Sequence, residues 1–204
     1  MNGPNHRSTL TIAGNLAVSQ GRLQQWEEAD ATINNALQAV ESVRHRGASP
    51  DIVIAQLRDS HATLLWQQGR FDECIEQAKL SLEIYQRMVS ASSSQGFNPS
   101  WRVAACAYQS GQLDLAFDYA SQALQYAENG APVGVINALR MLSAIAARRH
   151  QLAEAADYLA RADTALAATE VANPNVFTAL HLTRALLAVK SGDNNAARAH
   201  LKSA

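Results

Sequence analysis

Apolar and small residues recur at helical spacing along most of the chain, and five short polar turns cut that pattern into pairs of helical segments. The turns are SQGRL at 19–23, QQGRFDECI at 67–75, QSGQLDLAF at 109–117, RRHQLAEAA at 148–156 and KSGDNNAAR at 190–198. Anchored on Gly21, Gly69, Gly111, His150 and Gly192, they recur at spacings of 48, 42, 39 and 42 residues. This periodicity predicts an all-α solenoid of about five helical hairpins, forming one domain over 1–204 with units at about 7–47, 49–90, 98–129, 132–170 and 173–204.

Positions around the anchors carry the same residue types. Seven residues before each stands a small one, namely Gly14, Ala62, Ala104, Ser143 and Ala185, and five after come Cys74, Ala116, Ala155 and Ala197. Twelve after come Ser81, Ala123, Ala162 and Ala204. In the first unit the second-helix pattern runs three residues late, with Trp26, Ala29, Ile33, Ala36 and Leu37 standing in for Phe71, Cys74, Ala78, Ser81 and Leu82. Small side chains at fixed places on facing helices let the axes approach closely. One such hairpin cannot bury its own apolar face, so its neighbours must stack on it.

Boundary residues fit the same units. Ser49-Pro50, Asn98-Pro99 and Asn173-Pro174 each place a good N-cap before a proline at the first helical position. Gly47 and Gly130 stand where a helix should close in the left-handed conformation. Residues 91–98, ASSSQGFN, read as a flexible connection between the second and third units.

Composition supports close helix packing, because 48% of residues are hydrophobic but only 6% aromatic, leaving Ala and Leu to build the core. A net charge of −1 provides no basic field for phosphate backbones, so nucleic acid is not an expected partner. No signal peptide or membrane-spanning run is evident in the sequence. Cys74 and Cys106 lack the spacing of a metal-ligand or redox motif and are expected to be inert buried thiols in a reducing, cytoplasmic setting.

Ala13-Gly14-Asn15-Leu16-Ala17 followed by Gly21, Gly69-Arg70-Phe71-Asp72-Glu73-Cys74-Ile75, and Gly111-Gln112-Leu113-Asp114-Leu115-Ala116 together resemble the tetratricopeptide repeat family. The resemblance covers nearly the whole chain. The units are longer than that family's usual period and are similar to the long-helix variants of kinesin light chains and MalT-like bacterial regulators. His150 stands in place of the fourth turn glycine, and Asn194 replaces an expected large apolar residue, so the fifth unit is degenerate. The resemblance implies a right-handed superhelix whose first helices line a concave, protein-binding or peptide-binding face. It implies no cofactor and no catalysis.

On that face, positions 13, 10, 6, 3 and 2 before each anchor form one stripe. In the first two units it holds Thr11, Asn15 and Ser19, then Asp59, Thr63, Trp66 and Gln67. The third contributes Asn98, Trp101, Tyr108 and Gln109, and the last two Asn137, Arg140, Arg148 and Lys190. Trp66, Trp101 and Tyr108 form an aromatic patch, and Arg140, Arg148 and Lys190 a cationic one. Both residue types are enriched at binding hot spots, and together they suggest a peptide with an apolar anchor and an acidic end. Each tryptophan has an equal claim to packing between units, and Arg140 and Arg148 to ordinary solvation or ion pairing. Asn15 matches one residue of the carboxylate clamp found in some tetratricopeptide domains, but Thr11 stands where the clamp's lysine would be.

No metal-ligand pair, phosphate loop or nucleophile motif appears in the sequence, and His45, His61, His150 and His181 fall on different units or faces. Arg44-His45-Arg46 and Arg148-Arg149-His150 suit the negative ends of helix dipoles. The leading expectation is a non-catalytic, cytoplasmic bacterial scaffold. Two alternatives remain. One is a ligand-sensing or regulatory fragment of a larger signalling protein, such as a MalT-like regulator or a Ser/Thr kinase. The other is a homo-oligomeric structural protein, since the last repeat stops at Ala204 without a polar cap and invites self-association.

Overall fold

The Ala- and Leu-rich segments form ten α-helices in a computed structural model that describes residues 7–44, 51–88, 94–169 and 174–204. They pair as α1 (Arg7–Arg22) with α2 (Trp26–Arg44), α3 (Asp51–Gln67) with α4 (Phe71–Met88), and α5 (Phe97–Gln109) with α6 (Leu113–Ala127). Two further pairs are α7 (Pro132–Arg148) with α8 (Leu152–Ala167) and α9 (Pro174–Ser191) with α10 (Asn194–Lys202).

One hydrogen bond repeats at the end of every first helix. The N–H after the turn residue reaches back five positions to a carbonyl of the helix: Arg70 to Leu65, Gln112 to Ala107, Gln151 to Ala146 and Asp193 to Ala188, each at 2.9 Å. This closure requires a left-handed turn residue. Gly69, Gly111 and Gly192 supply it with φ between 76° and 84°, and His150 adopts it at 62° despite its side chain.

The first unit departs from the expected register. Its closing bond runs from Gln25 to Gln20, and its left-handed residue is Gln24, at φ 60°. Gly21, expected at the turn, lies inside α1. There it permits close approach to α3, since a Cβ would sit 2.7 Å from a Leu64 methyl. Moving the anchor to Gln24 removes the three-residue lag in α2. It also places Ala17, fully buried, at the small position shared with Ala62, Ala104, Ser143 and Ala185.

These small residues form the seams of the core. Cys74, Ala116 and Ala155 are fully buried on the second helices, as are Ser81, Ala123 and Ala162 about two turns later. Two of the small residues are serines, and neither leaves a hydroxyl unpaired: Ser81 donates to Ala55 O and Ser143 to Ala155 O, each at 2.8 Å.

The array curves because its two rows of helices pack differently. Among the described residues the backbone of each first helix comes close to that of the next, as in α1 with α3 and α7 with α9. The second helices stand further apart, and α4 reaches α6 only through side chains, with Gln86 donating to the Tyr126 hydroxyl and Lys79 over the Tyr119 ring. The first helices therefore form the inside of a superhelix, and their exposed faces form its concave wall.

Two expectations are corrected here. α5 starts at Phe97, after a 3-10 turn at Ser94–Gly96, so Asn98 and Pro99 lie inside the first turn and Gly96 takes the cap. Proline is tolerated there because the first helical N–H groups lack intrahelical partners. Gly96 lies against the Tyr126 ring, which a Cβ would approach to 2.6 Å. The flexible connection read over 91–98 is thus structured from Ser94, while 91–93, Gly47, Ser49-Pro50 and Asn173 lie outside the described residues. Gly130, at φ 114°, does follow α6 in the left-handed region.

The cysteines are not separate thiols. Cys74 of α4 and Cys106 of α5 are joined by a disulfide, with a Cα separation of 6.4 Å, and both are fully buried. They meet because one stands five residues after its anchor and the other five before the next, positions that face each other across the junction of adjacent hairpins. The expectation of a reducing setting rested on free thiols and loses that support. No helix among the described residues is long and apolar enough to cross a membrane.

Candidate functional site

Three inner helices bring the aromatic and cationic residues onto one continuous surface. α3 contributes Asp59 and Trp66, α5 Trp101 and Tyr108, and α7 Arg140 and Arg148. Seven residues separate Asp59 from Trp66 and Trp101 from Tyr108. Each pair therefore lies along one helix face, about 10 Å apart.

The residue that joins them, Arg102, was not singled out from the sequence. Its guanidinium carbon lies 5.7 Å from the ring centre of Trp66 and 5.3 Å from that of Trp101, so a cation bridges two indoles on neighbouring hairpins. The available signal was an arginine immediately after a tryptophan, in a register that places it near the other tryptophan one repeat earlier.

Trp66 is the more open of the two, at 37% exposure, whereas Trp101 and Tyr108 are half-buried and pack against the central core. Trp66 is therefore a surface residue of the groove, and Trp101 and Tyr108 serve both core and groove. The Trp101 Nε1 is buried without a hydrogen-bond partner, as is the Nε of Arg102.

The two ends of this surface differ in charge. At the α3 end, burial raises the Asp59 carboxyl above its ordinary value, and the nearby Arg102 charge pulls it partly back. Asp59 Oδ1 is buried and unpaired. At the α7 end, burial lowers the pKa of the Arg140 guanidinium, whose Nε also lacks an acceptor. Arg148 stacks over Tyr108 at 4.6 Å and donates to the Tyr108 backbone carbonyl, which gives it a structural task at the end of α5.

The remaining predicted residues fall around this surface. The Thr63 hydroxyl is turned to its own helix, donating to Asp59 O at 2.9 Å, and Gln67 is half-buried with an unpaired Oε1. Gln109 is exposed, and Asn137 and Lys190 are half-buried on α7 and α9. Because the first anchor shifts to Gln24, the positions equivalent to Asp59 and Trp66 are Gly14 and Gly21. Asn15 stands beside them, exposed, with Ser19 donating to its carbonyl. Thr11 reaches Gln56 Oε1 at 3.3 Å.

No protein-family model matches the sequence, and no curated protein does. Solved structures do match its shape. BtubC (BKLC) from P. vanneervenii superposes with a TM-score of 0.79 at 16% identity, covering 96% of this chain and 78% of that one. A Podosopora anserina putative kinesin light chain with nearly identical TPR-like repeats superposes at 0.74 and 15% identity, covering 97% and 94%. A substituted form of that same protein gives 0.76 at 15% identity, covering 97% and 93%. The chain has the all-α, superhelical fold of tetratricopeptide-like repeat proteins.

Proposed function

We propose that the protein is a non-catalytic scaffold that binds a peptide or protein segment along its concave face. The fold suits such a role, since stacked hairpins present one long inner surface. The observation that carries the reading is the run from Trp66 through Arg102 and Trp101 to Tyr108 and Arg140. There, large rings and buried guanidinium nitrogens retain unused contact area and hydrogen-bonding capacity. Native proteins seldom leave buried polar atoms unpaired, and surfaces that do so are completed by a ligand or by water.

The ligand expected here carries an apolar or aromatic residue for the Trp66 ring and a carboxylate for Arg140. Removing Trp66 takes away a hot-spot residue type, worth about 2 kcal/mol or more where it anchors a partner. A peptide array probed with labelled protein tests this. Binding should concentrate on peptides pairing an apolar residue with Asp or Glu, and should fall for both Trp66→Ala and Arg140→Gln. Binding that ignores both substitutions, with helicity intact, would show that this surface is not the site.

A further inference from the structure

Asp59 lines a half-open cavity of about 260 Å³ between α1 and α3, bordered by Tyr85 of α4 and Asn98 at the start of α5. Thr11, Asn15 and Gln56 complete its polar wall. Among the described residues the carboxylate is the only charged group on that wall, and its buried Oδ1 accepts no hydrogen bond from any of them.

The nearest cation does not satisfy it. Arg102 is held by the indoles of Trp66 and Trp101, and no ion pair joins it to Asp59. A buried carboxylate oxygen without a donor is costly, whereas one that receives a charged N–H forms one of the stronger hydrogen bonds in proteins. The wall adds neutral acceptors in the carboxamide oxygens of Asn15, Gln56 and Asn98, which suit a group with several N–H donors.

We infer that this cavity seats a protonated amine or guanidinium, supplied by a basic residue or free N-terminus of the segment bound in the groove. The inference rests on the groove reading and adds a polarity to it. Asp59 and Arg140 occupy equivalent positions on α3 and α7, two helix spacings apart, or about 16–20 Å. An extended segment covers that distance in about five or six residues. The groove therefore selects ligands with a positive group at one end and a carboxylate about six residues away, and it fixes their direction.

The test uses n-butylguanidinium as the probe for the cavity alone, followed by amide NMR shifts of the full chain. Saturable shifts are expected at the side-chain amides of Asn15, Gln56 and Asn98. Affinity should fall roughly tenfold or more in Asp59→Asn. Asn98→Leu, which keeps the carboxylate and removes one carboxamide oxygen from the wall, should weaken binding as well. Circular dichroism confirms that both variants are folded.

Absence of saturable shifts in the wild type, or equal affinity in Asp59→Asn, overturns the assignment. If acidic peptides still bind in an Arg140-dependent way, the groove reading survives that result. If they do not, both fall together.

Discussion

Asp59 and Arg102 lie close enough for each to shift the other's proton affinity, yet they form no ion pair, and each keeps a buried atom without a partner. The two indoles that stack on Arg102 set this arrangement. The result is a groove wall that carries stored demand for both a donor and an acceptor.

That demand predicts a pH-dependent stability effect. Burial holds the folded-state Asp59 carboxyl above its unfolded value of 3.8, so the folded state binds this proton more tightly. Its favourable contribution is fully present below 3.8 and is lost as pH rises through the folded-state value. Arg102 offsets part of this loss, and Tyr85, raised by burial and by the Asp59 charge, stays neutral throughout. Asp59→Asn is expected to raise the urea midpoint at neutral pH and to leave it unchanged below pH 3.8. A lowered midpoint at neutral pH would mean that Asp59 is satisfied in solution.

The Cys74–Cys106 bond closes a sequence separation of 32 residues. Chain-entropy arguments assign such a loop about 4 kcal/mol of stabilisation. Cys74→Ala with Cys106→Ala should therefore lose about that amount in chemical denaturation, and thiol titration of the native wild type should find no free cysteine. A full complement of two reactive thiols in the unfolded, non-reduced protein would remove the bond from the account.

Gln24 and His150 hold left-handed backbone that glycine adopts without strain. Each side chain there costs about 1 kcal/mol. Gln24→Gly and His150→Gly should each stabilise the fold by about that much, raising the melting temperature by about 2–4 °C. Gly111→Ala, at a turn of the same type with open space around it, should do the reverse.

Gly14 and Gly21 differ in how closely the side chains of α3 approach them. A Cβ on Gly21 would meet a Leu64 methyl at 2.7 Å and the Gln67 carboxamide oxygen closer still, while one on Gly14 would meet the Ser60 hydroxyl at 2.9 Å and Leu57 at 3.3 Å. Overpacking of this kind costs about 1–3 kcal/mol, against about 1 kcal/mol gained in helix propensity. Thermal melts should show Gly21→Ala clearly destabilised and Gly14→Ala nearer to wild type.

Much of the fold was legible because small residues recur where helix axes cross, as at Ala62, Ala104 and Ser143. The first unit misled because Gly21 resembles a turn glycine and lies three residues before the true turn residue, which is not a glycine. Only backbone geometry shows Gln24 taking the turn while Gly21 lies against Leu64. The aromatic and cationic groups of the groove were read from their stripe, residue by residue. Arg102 and the cavity at Asp59 were not, since they arise from side chains of neighbouring units meeting across a junction. The disulfide escaped for the same reason, although both cysteines stood at recognisable packing positions.

The inner helices approach one another backbone to backbone along the stack, while α4 and α6 of the outer row meet through side chains alone, so the outer row is the looser edge of a coil. The disulfide ties an outer helix to the next inner one at a single coil and stiffens it. If the proposed groove is the binding face, the bond lies under its Trp66 and Trp101 end and leaves the hairpins towards Arg140 untied.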